Sequence, residues 1–381
     1  MKIVYLAHVR MPTEKAHGTQ IMEMCAAFAK AGEQVELVLP LFGSFDIDLF
    51  EYYGVPKTFT IRRVRVPSLI RLGPIGFLLQ ASIFLVGVMR SGVLRHADYI
   101  FSRDEFLSLI VSYVFRRVPL IWEVHDPARG IFGRFLWKRV FMVVGISTGV
   151  IEALTEKFGP RKRFVVAHDG VNLSQFSIDV TKAQARATLS LPANAQLALY
   201  AGHLYEWKGA HTFARAASHF PASVSAVFVG GTDFDIENFK KEFGEQKNIA
   251  ILGAKKHSAI PLYLRAADVL VLPNSAKEEI SRRFTSPLKL FEYMASGTPI
   301  IASDLPSLRE VLNRQTALFF EPDNPSSLSD RIQETLKDSS AALARARAAQ
   351  ERVQAYTWDK RVQAILGAVT ASTPKDSSEF E

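Results

Sequence analysis

Residues 267–303, ADVLVLPNSAKEEISRRFTSPLKLFEYMASGTPIIAS, decide the fold. They predict a strand at 269–273, a polar loop, a helix at 288–296 that stops at Gly297, and a second apolar strand at 299–302. A strand, a helix and a strand in this order form the repeating unit of a parallel α/β sheet. The same alternation recurs on both sides of this stretch, so the sequence predicts an α/β protein with doubly wound sheets.

The start of the 288–296 helix is predicted to attract an anion. Ser286 is a good N-cap residue and Pro287 suits the first helical position, while the next backbone N–H groups have no partner in the helix. Such a helix end favours negative charge. Glu292, one turn further on, is placed to accept hydrogen bonds from two sugar hydroxyls. A lone glutamate is more often a solvated helix residue, but the complete run favours a diphosphate joined to a ribose.

Residues 286–303, SPLKLFEYMASGTPIIAS, resemble the donor-site signature of the family 4 glycosyltransferases, which are retaining enzymes of the GT-B fold. The resemblance implies that the helix lies under the diphosphate of a nucleotide sugar and that Glu292 binds the ribose. The family often has a second glutamate eight positions earlier, which contacts the donor sugar, and this chain has Phe284 there. The resemblance therefore leaves the sugar unspecified.

A second run, YAGHLYEWKGAHTF at 200–213, resembles the family's strand-Gly-Arg-Lys-Gly pattern, whose cations grip the diphosphate. Lys208 matches the lysine and precedes a glycine and a new helix. His203 stands where arginine is usual, and histidine is charged only part of the time near neutral pH. A lysine taken alone is more often a solvated surface residue. In this run the resemblance implies that Lys208 and His203 act on the leaving diphosphate.

Further donor contacts are predicted around the same helix start. Lys289 either reaches the phosphates or is merely exposed, and Asn274 closes the preceding strand at the same rim. The backbone of 285–288 is expected to contact the sugar hydroxyls that the missing glutamate would have bound. These predicted contacts are Thr285, Ser286, Pro287 and Leu288.

The first 40 residues predict a β-α-β unit with a strand at 3–9 and a helix at 19–31. Gly18 falls in the loop before this helix, where it permits either close approach of a ligand or a tight turn. No G-x-G-x-x-G fingerprint accompanies it, which disfavours a dinucleotide site. The resemblance implies that this loop belongs to the substrate-binding side of the domain.

His125 follows the predicted strand PLIWEVHD, and open parallel sheets bind ligands at the carboxyl ends of their strands. The resemblance implies that His125 contacts the donor sugar, whereas a helix-capping or structural histidine is the alternative. Just upstream, Ser102 and Glu105 predict a capping box at the start of another helix.

The predicted organisation is GT-B, with two Rossmann-like domains. The acceptor-side domain is predicted at 1–175 and the nucleotide-sugar-binding domain at 176–357. The resemblance, strongest over 197–312, implies that a helix at 358–371 crosses back to the first domain. Residues 372–381 have the composition of a disordered tail.

The composition limits the classes of molecule that the chain is expected to bind. The 381 residues carry a net charge of +8 and an isoelectric point near 9.4, which suits an anionic substrate, an anionic membrane surface or nucleic acid. Neither a zinc-type cluster nor an RNA-binding signature is present, so nucleic acid is not expected. The single Cys25 is expected to be buried and inert. The chain begins directly with a strand and shows no signal-peptide pattern, so a cytoplasmic protein is expected.

Residues 75–89 form an apolar run with arginines on both sides. The run is shorter than the ~20 residues of a spanning helix, so a transmembrane segment is not expected. A buried helix is the favoured interpretation. The alternative is an element that rests on the inner face of the plasma membrane, because basic residues beside apolar ones are typical of contact with anionic lipid. These arginines are Arg62, Arg63, Arg65, Arg71, Arg90 and Arg95.

Sugar transfer from a nucleotide requires neutralisation of the departing diphosphate, either by a metal ion or by fixed cations and helix N-termini. The triplets Asp46–Asp48 and Asp233–Asp235 are weak metal signals, so no metal and no cofactor are expected. The resemblance implies retaining transfer from a UDP- or GDP-linked sugar to a glycan or lipid-linked acceptor, as in cell-surface polysaccharide or glycolipid synthesis. Alternatives are a GT-B phosphorylase, a sugar-nucleotide epimerase, or a non-catalytic GT-B subunit that binds a partner or a membrane.

Overall fold

The computed structural model describes residues 1–43, 47–127 and 131–372. The chain divides into two compact units. The N-terminal unit comprises Met1–His168 together with Trp358–Glu381, and the C-terminal unit comprises Asp169–Thr357. Each unit is built on its own parallel sheet.

The N-terminal unit contains a seven-stranded parallel sheet. Its strands are β1 (Lys2–Leu6), β2 (Gln34–Leu41), β3 (Thr60–Arg65), β4 (Tyr99–Ser102), β5 (Leu120–Val124), β6 (Met142–Gly145) and β7 (Phe164–Val166). The strands pair in the order β3-β2-β1-β4-β5-β6-β7. Its helices, in chain order, are α1 (Ala16–Lys30), α2 (Leu49–Tyr53), α3 (Gly73–Arg90), α4 (Glu105–Val114), α5 (Ile131–Arg139) and α6 (Thr148–Phe158). The central strands β1, β4, β5 and β6 are almost wholly buried, as expected for a parallel sheet covered by helices on both faces.

The C-terminal unit contains a six-stranded parallel sheet. Its strands are β8 (Gln196–Ala201), β9 (Val224–Val229), β10 (Ile249–Gly253), β11 (Val269–Leu272), β12 (Ile300–Ser303) and β13 (Leu318–Phe320). They pair in the order β10-β9-β8-β11-β12-β13. Its helices are α7 (Leu173–Phe176), α8 (Lys182–Thr188), α9 (Ala210–Ala217), α10 (Asp233–Phe243), α11 (Ile260–Ala266), α12 (Leu288–Ser296), α13 (Pro306–Arg309), α14 (Pro325–Lys337) and α15 (Ser339–Val353).

The last helix, α16 (Trp358–Ser372), packs against α1 of the N-terminal unit. Its Arg361 side chain is 1 % exposed and donates to the buried Glu123 carboxylate of β5 at 2.7 Å. At the surface, Lys30 of α1 and Asp359 of α16 form a second pair at 2.6 Å. One buried and one exposed ion pair therefore attach this helix to its unit.

The strand-helix-strand prediction for residues 267–303 is confirmed by β11, α12 and β12. Helix α12 ends at Gly297, whose φ of 70° lies in the left-handed region that glycine adopts at low cost. Cys25 is buried in α1, also as expected.

The predicted capping box of Ser102 and Glu105 is wrong. Ser102 is the last residue of β4, and the N-cap of α4 is Asp104, whose carboxylate accepts from the backbone N–H of Leu107 at 2.8 Å. The strand runs longer than the pattern indicated, so the cap moves two residues along the chain.

Two predictions fall wholly or partly outside the described residues. They concern Asp46 of the first Asp-x-Asp triplet and residues 373–381 of the expected tail. Ser372, which was assigned to that tail, is the last residue of α16.

Candidate nucleotide-binding site

The C-terminal sheet reverses its strand order between β8 and β11. In open parallel sheets, ligands bind at such a point, beyond the carboxyl ends of the two strands. Gly202 follows β8 there, and Pro273 follows β11. A Cβ atom at Gly209 would lie 1.6 Å from the Pro273 carbonyl oxygen, so only glycine lets the loop after β8 approach the end of β11 this closely. The loop that carries Lys208 is thereby held at the reversal point.

Lys289 of α12 places a buried ammonium group at this point. Its Nζ lies 4.0 Å from the centre of the Tyr200 ring and has no hydrogen-bond partner among the residues that the structure describes. Burial lowers the pKa of Lys289 well below the usual lysine value, the positive charge of Lys208 lowers it further, and Glu292 opposes these effects. Two lysine ammonium groups are therefore close enough to repel each other.

Burial also lowers the pKa of Lys208 to about 8, with Asp235 opposing the shift. The Lys208 ammonium lies 5.4 Å from the Tyr205 ring centre and 5.2 Å from that of Trp207. An aromatic ring is a weaker partner for an ammonium group than a carboxylate is. The pair Lys208 and Lys289 therefore forms a positive site that would hold its charge better beside an anionic ligand.

Glu292 lies one turn after Lys289 on the same face of α12. Its carboxylate is hydrogen-bonded to His257, with 2.8 Å between Glu292 Oε1 and His257 Nε2. Glu292 is only 9 % exposed, so it is not the solvated helix residue that a lone glutamate usually is. The reason is that α12 packs against α7, α11 and α15, which cover most of its surface. His257 belongs to no motif and was not found from the sequence.

The predicted capping of α12 by Ser286 is also wrong. The Ser286 hydroxyl accepts from the backbone N–H of Asp169 at 3.0 Å. Pro287 keeps an extended ψ of 129° and stands outside the helix as its N-cap, without a side-chain capping bond, so its assignment to the first helical position is wrong too. The first turn of α12, beginning at Leu288, therefore has no side-chain cap, and anion binding there stays a prediction.

The remaining predicted contacts lie around this helix start or after β8. Asn274 is 1 % exposed, and its Oδ1 has no hydrogen-bond partner within the described part of the chain. The His203 ring stacks on Tyr205 with 5.0 Å between ring centres and 4° between planes. Thr285 and Leu288 are half-buried beside Pro287. Contact of these residues with a donor stays a prediction.

In the N-terminal unit, His125 follows β5, as expected. Its Nε2 lies 2.5 Å from Oε1 of Glu123, which also accepts from Gln20 Nε2 at 2.6 Å. Burial raises the pKa of the Glu123 carboxyl, but the charges of Arg361 and His125 outweigh this and hold the pKa well below its usual value. Glu123 therefore stays ionised and orients the His125 ring. The contact of His125 with a donor sugar stays a prediction.

Gly18 lies in the first turn of α1 and not in the preceding loop. A Cβ atom at this position would lie 2.2 Å from the Tyr53 hydroxyl and 2.9 Å from Thr13 Cγ2. Packing against Tyr53, rather than the approach of a ligand, accounts for the missing side chain at position 18.

The model of one protein family, glycosyl transferases group 1, matches residues 181–352. The chain carries a group 1 glycosyl transferase domain. The chain is 25 % identical over 226 residues to the putative teichuronic acid biosynthesis glycosyltransferase TuaC of Bacillus subtilis, covering 57 % of this chain and 54 % of TuaC. It is 27 % identical over 248 residues to the D-inositol 3-phosphate glycosyltransferase of Streptomyces avermitilis, covering 61 % and 52 %. The chain thus spans about half the length of the curated relatives it matches.

Solved glycosyltransferase structures share the fold. Anabaena HepE in complex with UDP superposes with a TM-score of 0.77 at 18 % identity, covering 97 % of this chain and 100 % of HepE. Sucrose-phosphate synthase from Thermosynechococcus elongatus superposes with a TM-score of 0.80 at 21 % identity, covering 98 % and 100 %. The expected GT-B fold and the expected family are confirmed.

This group 1 glycosyl transferase domain departs from the family pattern at Phe284. The residue ends a short π-helix, Ile280–Phe284, and is 6 % exposed. A buried phenyl ring therefore occupies the position where the resemblance implies a glutamate that contacts the sugar.

Of the three described aspartates in the two Asp-x-Asp triplets, two take part in helix capping. Asp235 forms a reciprocal capping box with Thr232 at the start of α10, and Asp48 caps α2 while pairing with Lys57 at 2.7 Å. Within residues 1–43, 47–127 and 131–372, no group of three His, Cys, Asp or Glu side chains is arranged to hold a metal ion.

Proposed function

We propose that the protein transfers a sugar from a nucleotide-sugar donor to an acceptor hydroxyl. The observation that carries the proposal is the buried Lys289 ammonium beside Lys208, with the Glu292 carboxylate one turn away. A buried cation without a hydrogen-bond partner costs folding free energy, so such groups are usually kept for function. A nucleoside diphosphate would supply the negative charge to the lysines and two ribose hydroxyls to Glu292.

The same groups suit the chemistry of transfer. The bond between the anomeric carbon and the diphosphate oxygen breaks, the acceptor oxygen bonds to that carbon, and the acceptor's hydroxyl proton is released. Negative charge grows on the leaving diphosphate as its bond breaks, so Lys208 and Lys289 stabilise the transition state more than the bound donor. Transfer with retained anomeric configuration and without a metal ion is part of the proposal.

The donor and acceptor classes are supported by the relatives. HepE was solved with UDP and with UDP-glucose, which makes a uridine-linked sugar the first donor to assay. TuaC is named for teichuronic acid biosynthesis, which favours an acceptor of cell-surface polysaccharide synthesis. Burial and the charges of Arg103, Lys15 and His125 together lower the pKa of His17 to about 4, so the groups around His17 are basic and suit an acceptor that carries phosphate.

Release of nucleoside diphosphate from a panel of UDP- and GDP-sugars, with and without EDTA, tests the proposal. Slow release without an acceptor, faster release with one, and resistance to EDTA are expected. A phosphorylase would form a sugar phosphate, and an epimerase would change the sugar while leaving the nucleotide sugar intact. Binding without any conversion would favour a non-catalytic subunit, and full dependence on added manganese or magnesium would contradict metal-free transfer.

Glu292→Gln is expected to weaken nucleotide binding while leaving the fold intact. The amide keeps the shape and the contact with His257 but loses the charge that strengthens hydrogen bonds to ribose hydroxyls. The loss of such bonds costs about 1.5 to 3 kcal/mol, or roughly tenfold to a hundredfold in the Kd for UDP measured by calorimetry. Glu237→Gln, at an exposed position of α10, is the matched control. Unchanged affinity for both UDP and GDP would remove Glu292 from the site.

Donor affinity is expected to fall as pH rises from about 7 to about 9, because the lysines must be protonated to hold the diphosphate. Lys208 has a pKa of about 8 in the free protein, and an anionic ligand raises it. Binding therefore takes up protons, and the affinity is greatest below the pKa of the free lysine. Calorimetry with a nucleotide sugar in buffers of different ionisation enthalpy measures this uptake. Proton release, or an affinity independent of pH, would contradict the assignment.

A further inference from the structure

Helix α3 of the N-terminal unit exposes a broad apolar surface, which we call the α3 face. The exposed fractions of its side chains run from 40 % to 69 %. The α3 face consists of Ile75, Phe77, Leu78, Leu79, Ile83 and Val86. Positions 75, 79, 83 and 86 recur at helical spacing, so they form one continuous stripe. A contiguous apolar surface of this kind marks a site of contact with a partner or a membrane.

The opposite side of α3 belongs to the core of the unit. Ala81, Phe84, Leu85 and Val88 are at most 4 % exposed. A Cβ atom at Gly87 would lie 2.4 Å from Val64 of β3, so the helix packs closely on the sheet. By length and composition α3 could cross a membrane, with a mean hydropathy of 1.5 over 18 residues. It is instead the connection between two strands of one parallel sheet, and its axis therefore lies along the surface of the unit.

The segment that carries α3 is basic. Residues 57–97 contain no aspartate or glutamate. Arg62 is held by Glu36 at 2.5 Å and Arg63 donates to the Ile47 carbonyl at 3.0 Å, so these two already have partners. The exposed arginines that flank the helix are Arg65, Arg71, Arg90 and Arg95. An apolar stripe between basic ends complements the acyl region and the anionic headgroups of a lipid leaflet.

We propose that the α3 face docks on an anionic lipid bilayer, with the helix lying flat in the headgroup region and the arginines in contact with lipid phosphates. The one polar side chain next to the stripe, Ser82, donates its hydroxyl to the Leu78 carbonyl at 2.8 Å and so needs no partner from outside. A second copy of the chain is a poorer occupant. Two-fold pairing of α3 would bring arginines of both copies together, with no acidic residue of the segment to offset them. This inference stands independently of the donor site.

Co-sedimentation with vesicles tests the docking surface. The full chain is expected to bind vesicles of phosphatidylcholine mixed with phosphatidylglycerol, and to bind pure phosphatidylcholine much less. Raising the salt concentration should weaken the binding, because the electrostatic part is screened. Protein that stays in the supernatant with anionic vesicles at low salt would overturn the proposal.

Two variants separate the apolar and the electrostatic contributions. The apolar variant carries Leu78→Gln, Leu79→Gln and Ile83→Gln, which keep helix propensity and spare Phe77, whose ring contacts His8. The charge variant carries Arg65→Gln, Arg71→Gln, Arg90→Gln and Arg95→Gln. Each basic residue near an anionic surface contributes roughly fivefold in partitioning, so the loss of four should weaken the binding of the charge variant by almost three orders of magnitude. The apolar variant should lose binding to a similar degree.

The control replaces exposed apolar residues of the C-terminal unit, Phe234→Gln and Leu343→Gln, and should bind as the unchanged chain does. Circular dichroism and thermal unfolding confirm that each variant is folded. If the folded apolar variant binds as tightly as the unchanged chain, binding is due to net charge alone and the proposal fails. Sedimentation velocity without lipid tests whether a second copy of the chain binds the α3 face instead. If the unchanged chain is a dimer and the apolar variant is a monomer, the face is a dimer interface.

Discussion

Lys289→Met is expected to abolish most transfer activity while making the folded protein more stable. The buried ammonium lacks a hydrogen-bond partner among the described residues. Its pKa is lowered because burial makes the charged form less stable than it is in water. Methionine has a similar length and no charge, so the folded state gains roughly 1 to 3 kcal/mol. Loss of a cation that faces the leaving group lowers kcat by about 10² to 10³. Opposite changes in stability and in activity are the mark of a functional group and not of a structural one.

The experiment compares kcat, the Kd for UDP and the thermal unfolding midpoint of the variant with those of the unchanged protein. Each kcal/mol gained should raise the midpoint by about 2 to 4 °C for a unit of this size. Lys247→Met, at an exposed position of the C-terminal unit, is the control and should change neither quantity. A Lys289→Met protein that is less stable and fully active would show that Lys289 is a packing residue.

Much of the C-terminal fold could be predicted because its signals are local. Helix α12 was predicted with the observed bounds, since apolar spacing sets its length and Gly297 ends it. The strand that precedes it needs only a run of apolar residues. The approximate position of Lys208 and Lys289 followed from the same patterns, because residues after parallel strands gather at one edge of the sheet.

The details that fix the site depend on contacts between distant parts of the chain. Ser286 has the chemistry of a helix cap, yet its hydroxyl is engaged by Asp169 from 117 residues away. Glu292 has the chemistry of a solvated residue, yet neighbouring helices cover it and His257 binds it. Local patterns state what a side chain can do, and tertiary packing decides which of these interactions it makes. Glu123 and Arg361 are 238 residues apart, and the only sign of their pairing in the sequence is a glutamate inside an apolar strand.

Arg361→Met is expected to destabilise the N-terminal unit by about 3 to 5 kcal/mol, because it leaves the Glu123 carboxylate buried without its main counter-charge. Glu123 is 0 % exposed, and Arg361 also donates to the Ala167 carbonyl, so water cannot replace the guanidinium without opening the unit. Denaturant unfolding followed by circular dichroism measures the loss. The midpoint for the N-terminal unit should fall, while donor binding by the C-terminal unit should persist at low denaturant.

The exposed pair Lys30 and Asp359 is the matched control, since it joins the same two helices, α1 and α16. Asp359→Asn should cost no more than about 1 kcal/mol, as is usual for a solvent-exposed ion pair. Adding Glu123→Gln to Arg361→Met removes the stranded charge and should restore part of the stability, which a double-mutant cycle detects as coupling between the two positions. If Arg361→Met costs no more than Asp359→Asn, packing of α16 and not the buried charge holds this helix in place. A cycle without coupling would lead to the same conclusion, because the cost would then be that of two independent side chains.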